Sequence, residues 1–279
     1  MALTMEKLNK IFVIRLHPEF IQFLVHKSNG VGLQAFSKLE NNTIFEEHVV
    51  ESMNKGEIWL EVNGEHFTRT LKCTTNCTSV TMRLTKKMNL PVLCFTINTK
   101  GRTGKPIQLI QDCPCRILQA AQTEELKEPN VPNPDVHIIL PPVVALKSMA
   151  DRMKLVGGHM IVKANMSGEF VMLIENDMVK LETFYEDLDN PAIDPSQVEP
   201  SQQPSLNRDP KEFAQVRVDI RDFIKFCTCH QLNPMNTICC IIENHGLVFY
   251  VYIGENGGEN IGDANGCGTI TYYLPQRLE

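Results

Sequence analysis

Two stretches constrain this chain most, because each changes from strand spacing to helix spacing at the same place. In "EIWLEVNGEHFTRTLK", residues 57–72, Ile58, Leu60 and Val62 alternate with polar neighbours, and Phe67 and Leu71 then fall four apart. In "AQVRVDIRDFIKFCTC", beginning at Ala214, Val216, Val218 and Ile220 alternate in the same way before Phe223 and Phe226. A period of two marks a strand with one buried face, and a period near 3.6 marks a helix. A figure that recurs at so long an interval reads as an internal repeat. The chain's 279 residues suffice for two domains, each with its own core.

Other segments repeat in step. "IFVIRLHPEFIQFLV" from Ile11 predicts a hairpin turning at His17-Pro18-Glu19, and "HMIVKANMSGEFVMLIE" from His159 predicts one turning at Met166 to Glu169. "ALKSMADRMK" before the second hairpin has Leu146, Met149 and Met153 at helical spacing, whereas only "MEKLNK" precedes the first. "SVTMRLT", "PVLCFTIN" and "KPIQLIQD" follow the first figure as strands, and "NTICCIIE", "GLVFYVYI" and "GTITYYLP" follow the second. Between the halves, Cys113 to Pro134 includes "EELKEPNVPNP", whose prolines forbid regular structure and mark a linker. The expected units are 1–112, a linker 113–134, and 135–279. A Pro/Ser/Gln-rich loop, 190–210, and a Gly-rich excursion, 254–268, fall inside the second half.

Few short helices beside many strands predict an α+β fold, with antiparallel sheets carrying their helices on one side. The exposed helix faces then hold Lys7 and Lys10, Arg69 and Lys72, Lys147, Arg152 and Lys154, and Arg221 and Lys225. In a chain of net charge −6, any nucleic-acid contact must be confined to such elements.

Several chemistries find little footing. No apolar run approaches the roughly 18 residues of a membrane span, and the N-terminus lacks an apolar signal core, so no membrane partner is expected. Cys73 and Cys77, Cys113 and Cys115, and Cys227 and Cys229 lack the recurring ligand spacing of zinc sites, so the ten cysteines read as free thiols and no metal is expected. "DANGCGTITYYL" offers Asp263, Asn265 and Gly268 to a calcium loop but puts Cys267 and Leu274 where acidic or oxygen ligands are needed. No phosphate-binding GxxxxGK[ST] occurs, and no cofactor is implied. A Cys/His hydrolase would draw on Cys229 with His230, or Cys239 with His245; inert buried thiols are the expected reading, with no catalytic residues.

"KEPNVPNPDVHIILP", "DLDNP" from Asp187, "VRVDIRDFIKF" from Val216, "EIWLEV" and "ITYYLP" together resemble the Hus-type subunit of the nine-one-one checkpoint clamp, a relative of the proliferating cell nuclear antigen. The resemblance covers nearly the whole chain. It implies a non-enzymatic, nuclear subunit of a heterotrimeric ring, with sheets outside and helices around double-stranded DNA. Partners would be two other clamp subunits, an ATP-dependent clamp loader, repair enzymes and checkpoint proteins; a homotrimeric replication clamp is the alternative on the same fold. By similarity to clamps, Arg69, Lys72 and Arg221 match basic positions facing the hole, where phosphate attraction is sequence-blind. Carried over likewise, the joining edges are 106–111, with Ile107, Leu109 and Gln111, and 178–185, with Val179, Leu181 and Thr183. Arg116, Leu118 and Gln119 open a stretch, 116–125, where partner peptides would dock. The family carries an opening strand and most of a helix ahead of this chain's first residue, so the first domain is expected to be incomplete at its start.

Overall fold

The computed structural model describes residues 1–26, 32–52, 56–101, 104–191, 205, 208–254 and 268–278. The Gly-rich excursion, with Asp263, Asn265 and Cys267, and most of the 190–210 loop lie outside the described residues. In chain order the elements are α1 (Ala2–Leu8), β1 (Ile11–Leu16), β2 (Phe20–Val25), β3 (Gln34–Glu40), α2 (Asn41–Ile44), β4 (Ile58–Asn63), α3 (Gly64–Lys72), β5 (Ser79–Lys87), β6 (Leu90–Lys100) and β7 (Pro106–Ile117). There follow α4 (Ala120–Thr123), β8 (Val136–Ile139), α5 (Val143–Met153), β9 (His159–Ala164), β10 (Phe170–Glu175), β11 (Lys180–Tyr185), β12 (Ala214–Asp219), α6 (Ile220–Phe226), β13 (Asn236–Ile242), β14 (Gly246–Ile253) and β15 (Gly268–Pro275).

The repeated figure is β4–α3 and β12–α6, and both copies turn by one device. Asn63 and Asp219 end their strands in extended conformation, and their side chains accept from the amides of His66 and Arg221. Each thereby satisfies a donor that the first helical turn leaves unpaired. Both hairpins turn where their sequences predict. Gly168 stands at φ +83° in the second, and a Cβ there would meet the Leu188 carbonyl at 2.4 Å, so this turn requires glycine.

All strand pairs are antiparallel, but the halves are not two separate sheets. The order β5-β6-β7-β4-β1-β2-β3-β15-β14-β13-β8 runs continuously across both, and β11-β10-β9-β12 forms a second sheet. β3 pairs with β15 from Gln34↔Tyr273 to Leu39↔Gly268, because each would otherwise present an open edge where the halves meet. The boundary at residue 113 also shifts. β7 leaves β6 at Pro114 and continues on β4 through Cys115–Ile117. A proline, with no N–H to give, sits where the strand changes partner. In the remaining connection, Gln119 and Gln122 form a capping box that starts one turn of helix ahead of the prolines. The duplication is unequal at one edge: β8 covers β13, while β5 ends its sheet.

One apolar cluster fills the space between sheets and helices in both halves. Phe12, Phe23, Phe67 and Phe95 pack edge to face in the first, and Phe226 stacks on Phe249 with ring centres 3.8 Å apart in the second. Burial of such rings, worth about 1.5–3 kcal/mol each, holds the helices to the sheets and fixes which faces point away.

Candidate DNA-facing layer and assembly edges

α1 packs on α3 and α6, and α6 on α5, so these helices line up on one side of the sheets. Phe67 and Thr70 of α3, Leu146, Ala150 and Met153 of α5, and Phe223 and Phe226 of α6 are buried. What remains outward is basic. Counting Lys10, Lys154 and Asp219 just beyond α1, α5 and α6, nine cations stand against Glu6, Glu65, Asp151, Asp219 and Asp222, a local charge of +4 in a chain of −6. The other residues therefore carry −10, and the net positive charge is concentrated on this layer.

The nine differ in freedom. Lys147 pairs with Asp151 at 2.7 Å, Lys225 with the buried Asp222 at 3.2 Å, and Lys7 donates to Gln231 at 2.7 Å. Among the described residues, the head groups of Lys10, Arg69, Lys72, Arg152, Lys154 and Arg221 make no ion pair, and all six residues are exposed. Arg69 and Lys72 also complement the dipole at the α3 C-terminus.

Among the described residues, the two expected joining edges are open: along residues 106–112 β7 bonds only to β6, and β11 bonds only to β10. Ile107, Leu109 and Ile110 of β7 are exposed, Ile110 at 59%. On the other edge Met178, Val179 and Phe184 are exposed, Phe184 at 60%. Leu181 leans on the core, and Gln111 and Thr183 are half-buried. The alternation Val179, Leu181, Thr183 therefore missed Phe184, on the opposite face of the strand.

The docking stretch is built differently from its sequence reading. Arg116 makes a bidentate pair with Glu61, at 3.0 and 2.8 Å on the exposed surface. Gln119 caps α4. Leu118 is not available to a partner: it is 6% exposed, packed with Val13, Leu24, Phe36 and Trp59 on the face of the sheet opposite the helices.

Thiol catalysis finds no activated group at the positions considered. Burial pushes Cys229 and Cys240 up to about 12, and Cys227 and Cys239 well above the ordinary thiol range. His230 directs Nδ1 at the Cys227 carbonyl, 2.7 Å away. Among the described residues no group of His, Cys, Asp or Glu is arranged to hold a metal, and no helix is long and apolar enough to cross a membrane.

With this geometry established, comparison with known proteins is decisive at the level of the family: the Hus1-like protein family matches residues 1–277. The chain belongs to the Hus1-like family. It is 34% identical to "Checkpoint protein hus1" of Schizosaccharomyces pombe over 271 residues, covering 97% of this chain and 92% of that protein. It is 30% identical to "Checkpoint protein HUS1" of Homo sapiens over 242 residues, covering 85% and 84%. Its fold is similar to that of PCNA from Thermococcus kodakaraensis, with a TM-score of 0.65 at 16% identity over 99% of this chain and 94% of that one. PCNA from Entamoeba histolytica gives 0.67 at 11% identity, over 99% and 93%. This Hus1-like chain is thus a checkpoint-clamp subunit with a sliding-clamp fold.

Proposed function

We propose that the chain is one subunit of a heterotrimeric ring that encircles double-stranded DNA in the nucleus, is placed there by an ATP-dependent loader, and holds repair enzymes and checkpoint proteins at damage. It does no chemistry of its own. The supporting observation is the concentration of +4 on one helical layer of an acidic protein. Six free head groups there suit a surface that attracts phosphates without fixing any base, which lets a ring slide. The β7 and β11 edges, with Ile107, Leu109 and Phe184 exposed, supply the strand pairing through which such a ring closes. Encirclement is tested by loading the three-subunit complex on nicked circular DNA with loader and ATP, then cutting the circle. Retention on the circle and loss after linearisation is the expected result, and equal retention on both overturns the proposal.

A further inference from the structure

Beyond β15 the chain crosses from one sheet to the other. The Gln276 amide donates to the His245 carbonyl at 2.9 Å, and the Arg277 amide donates to the Arg217 carbonyl of β12 at 2.8 Å. β15 belongs to the eleven-stranded sheet and β12 ends the four-stranded one, so residues 276 and 277 stitch the two together. The stitch also aims a side chain. The Arg277 guanidinium lies 3.7 Å from Asp222 and 4.0 Å from Asp219, with the side chain only 24% exposed. Both carboxylates belong to the start of α6: Asp219 accepts from the Arg221 amide at 2.8 Å, and Asp222 follows Arg221 in the first turn. Arg221 itself is exposed on the basic layer. A helix start favours carboxylates, yet these two stand beside the one arginine of α6 and oppose the approach of an anion to it. With Lys225 and Arg277 included, the group holds three cations and two carboxylates; without Arg277 it is neutral.

We propose that Arg277 sets the charge of the basic layer at α6: from outside the helices it offsets Asp219 and Asp222, so that Arg221 keeps a net attraction for phosphate. Arg277 thereby joins the DNA-facing layer proposed above, on which its role rests, without itself reaching phosphate. Its guanidinium faces the two carboxylates and its backbone is tied to β12, which fixes the charge close to Arg221. Such a charge acts through space and is screened over about 10 Å at 0.1 M salt, so its removal is felt most in dilute buffer.

The test is equilibrium binding of the purified three-subunit complex to a short fluorescein-labelled duplex, followed by anisotropy at ionic strengths of about 0.05 and 0.2 M. Arg277→Gln should weaken binding about three-fold at the lower salt and by less at the higher. Arg277→Lys keeps the charge and should bind as the wild type does. Asp219→Asn, which still caps a helix, should tighten binding about as much as Arg277→Gln weakens it, and the double variant should return to the wild-type value. A merely structural Arg277 predicts otherwise: Asp219→Asn would bring no gain, and Arg277→Lys would weaken binding as Arg277→Gln does. Either result, or an unchanged affinity in Arg277→Gln, overturns the proposal. Arg221→Gln is the control for the layer beneath it. If that variant is silent, the DNA-facing reading of α6 fails; if it weakens binding while Arg277→Gln does not, only the role of Arg277 falls.

Discussion

Replacing Asp222 with Ala tests how the two halves are pinned. Asp222 opens α6 with a side chain 7% exposed, and it accepts from the Leu33 amide of the first half at 3.3 Å. Lys225 lies 3.2 Å from one carboxylate oxygen and Arg277, beyond β15, 3.7 Å from the other. Three parts of the chain therefore meet on one carboxylate. Ala leaves the amide of Leu33, a residue 1% exposed, without an acceptor, at about 1–3 kcal/mol. The two cations are 36% and 24% exposed and can turn to water, so each lost pair adds only about 0–1 kcal/mol. The total is about 3 kcal/mol, which at an m-value of about 3 kcal/mol/M lowers the urea midpoint by about 1 M. Asp222→Asn keeps an acceptor for Leu33 and loses only the charge, so its midpoint falls by about a third as much. Urea unfolding followed by circular dichroism separates the cases. A shift below about 0.3 M for Ala, or an equal loss for Asn and Ala, would refute the assignment of the cost to the buried amide.

Three further outcomes follow from the same structure. Leu109→Asp on β7 or Phe184→Asp on β11 should release the chain from its complex, seen by size exclusion, while moving its own stability by less than about 0.5 kcal/mol because both side chains are exposed. Arg69→Glu with Lys72→Glu should reduce the slope of log affinity against log salt for the loaded ring by up to about 2, and an unchanged slope would show that neither meets phosphate. Acid should destabilise the fold in two windows. Burial lowers the His137 pKa, so the unfolded chain takes the proton first and stability falls as pH drops through about 6.5. The Arg15 hydrogen bond lowers Glu57, whose contribution is present above about 4.5 and is lost as pH falls through its lower folded value. His137→Gln should flatten the first step alone, as read from urea midpoints across the range.

The repeated figure was legible because one-sided burial imposes its period on the residues themselves. Val216, Val218 and Ile220 face the core as their alternation requires, and Phe223 and Phe226 follow at helical spacing. The basic layer was legible for the same reason: once Phe67, Leu146 and Phe223 are placed inward, the exposed faces are left to Arg69, Arg152 and Arg221. What stayed hidden depends on distant partners. β3 was missed because "QAFSKLE" acquires its strand from β2 on one side and β15, from the far end of the chain, on the other. The burial of Leu118 requires knowing that β7 crosses from β6 to β4 at Pro114. Asp222 reads as one more charge on a helix, because its acceptance from Leu33 spans 189 positions.

The most direct test of the central claim is the mass of the complex that this chain forms when co-expressed with the two other clamp subunits of its source, measured by light scattering after purification. The account predicts a single species with one copy of each subunit, joined through β7 and β11. A chain that purifies alone, or a ring built from this chain only, would contradict it.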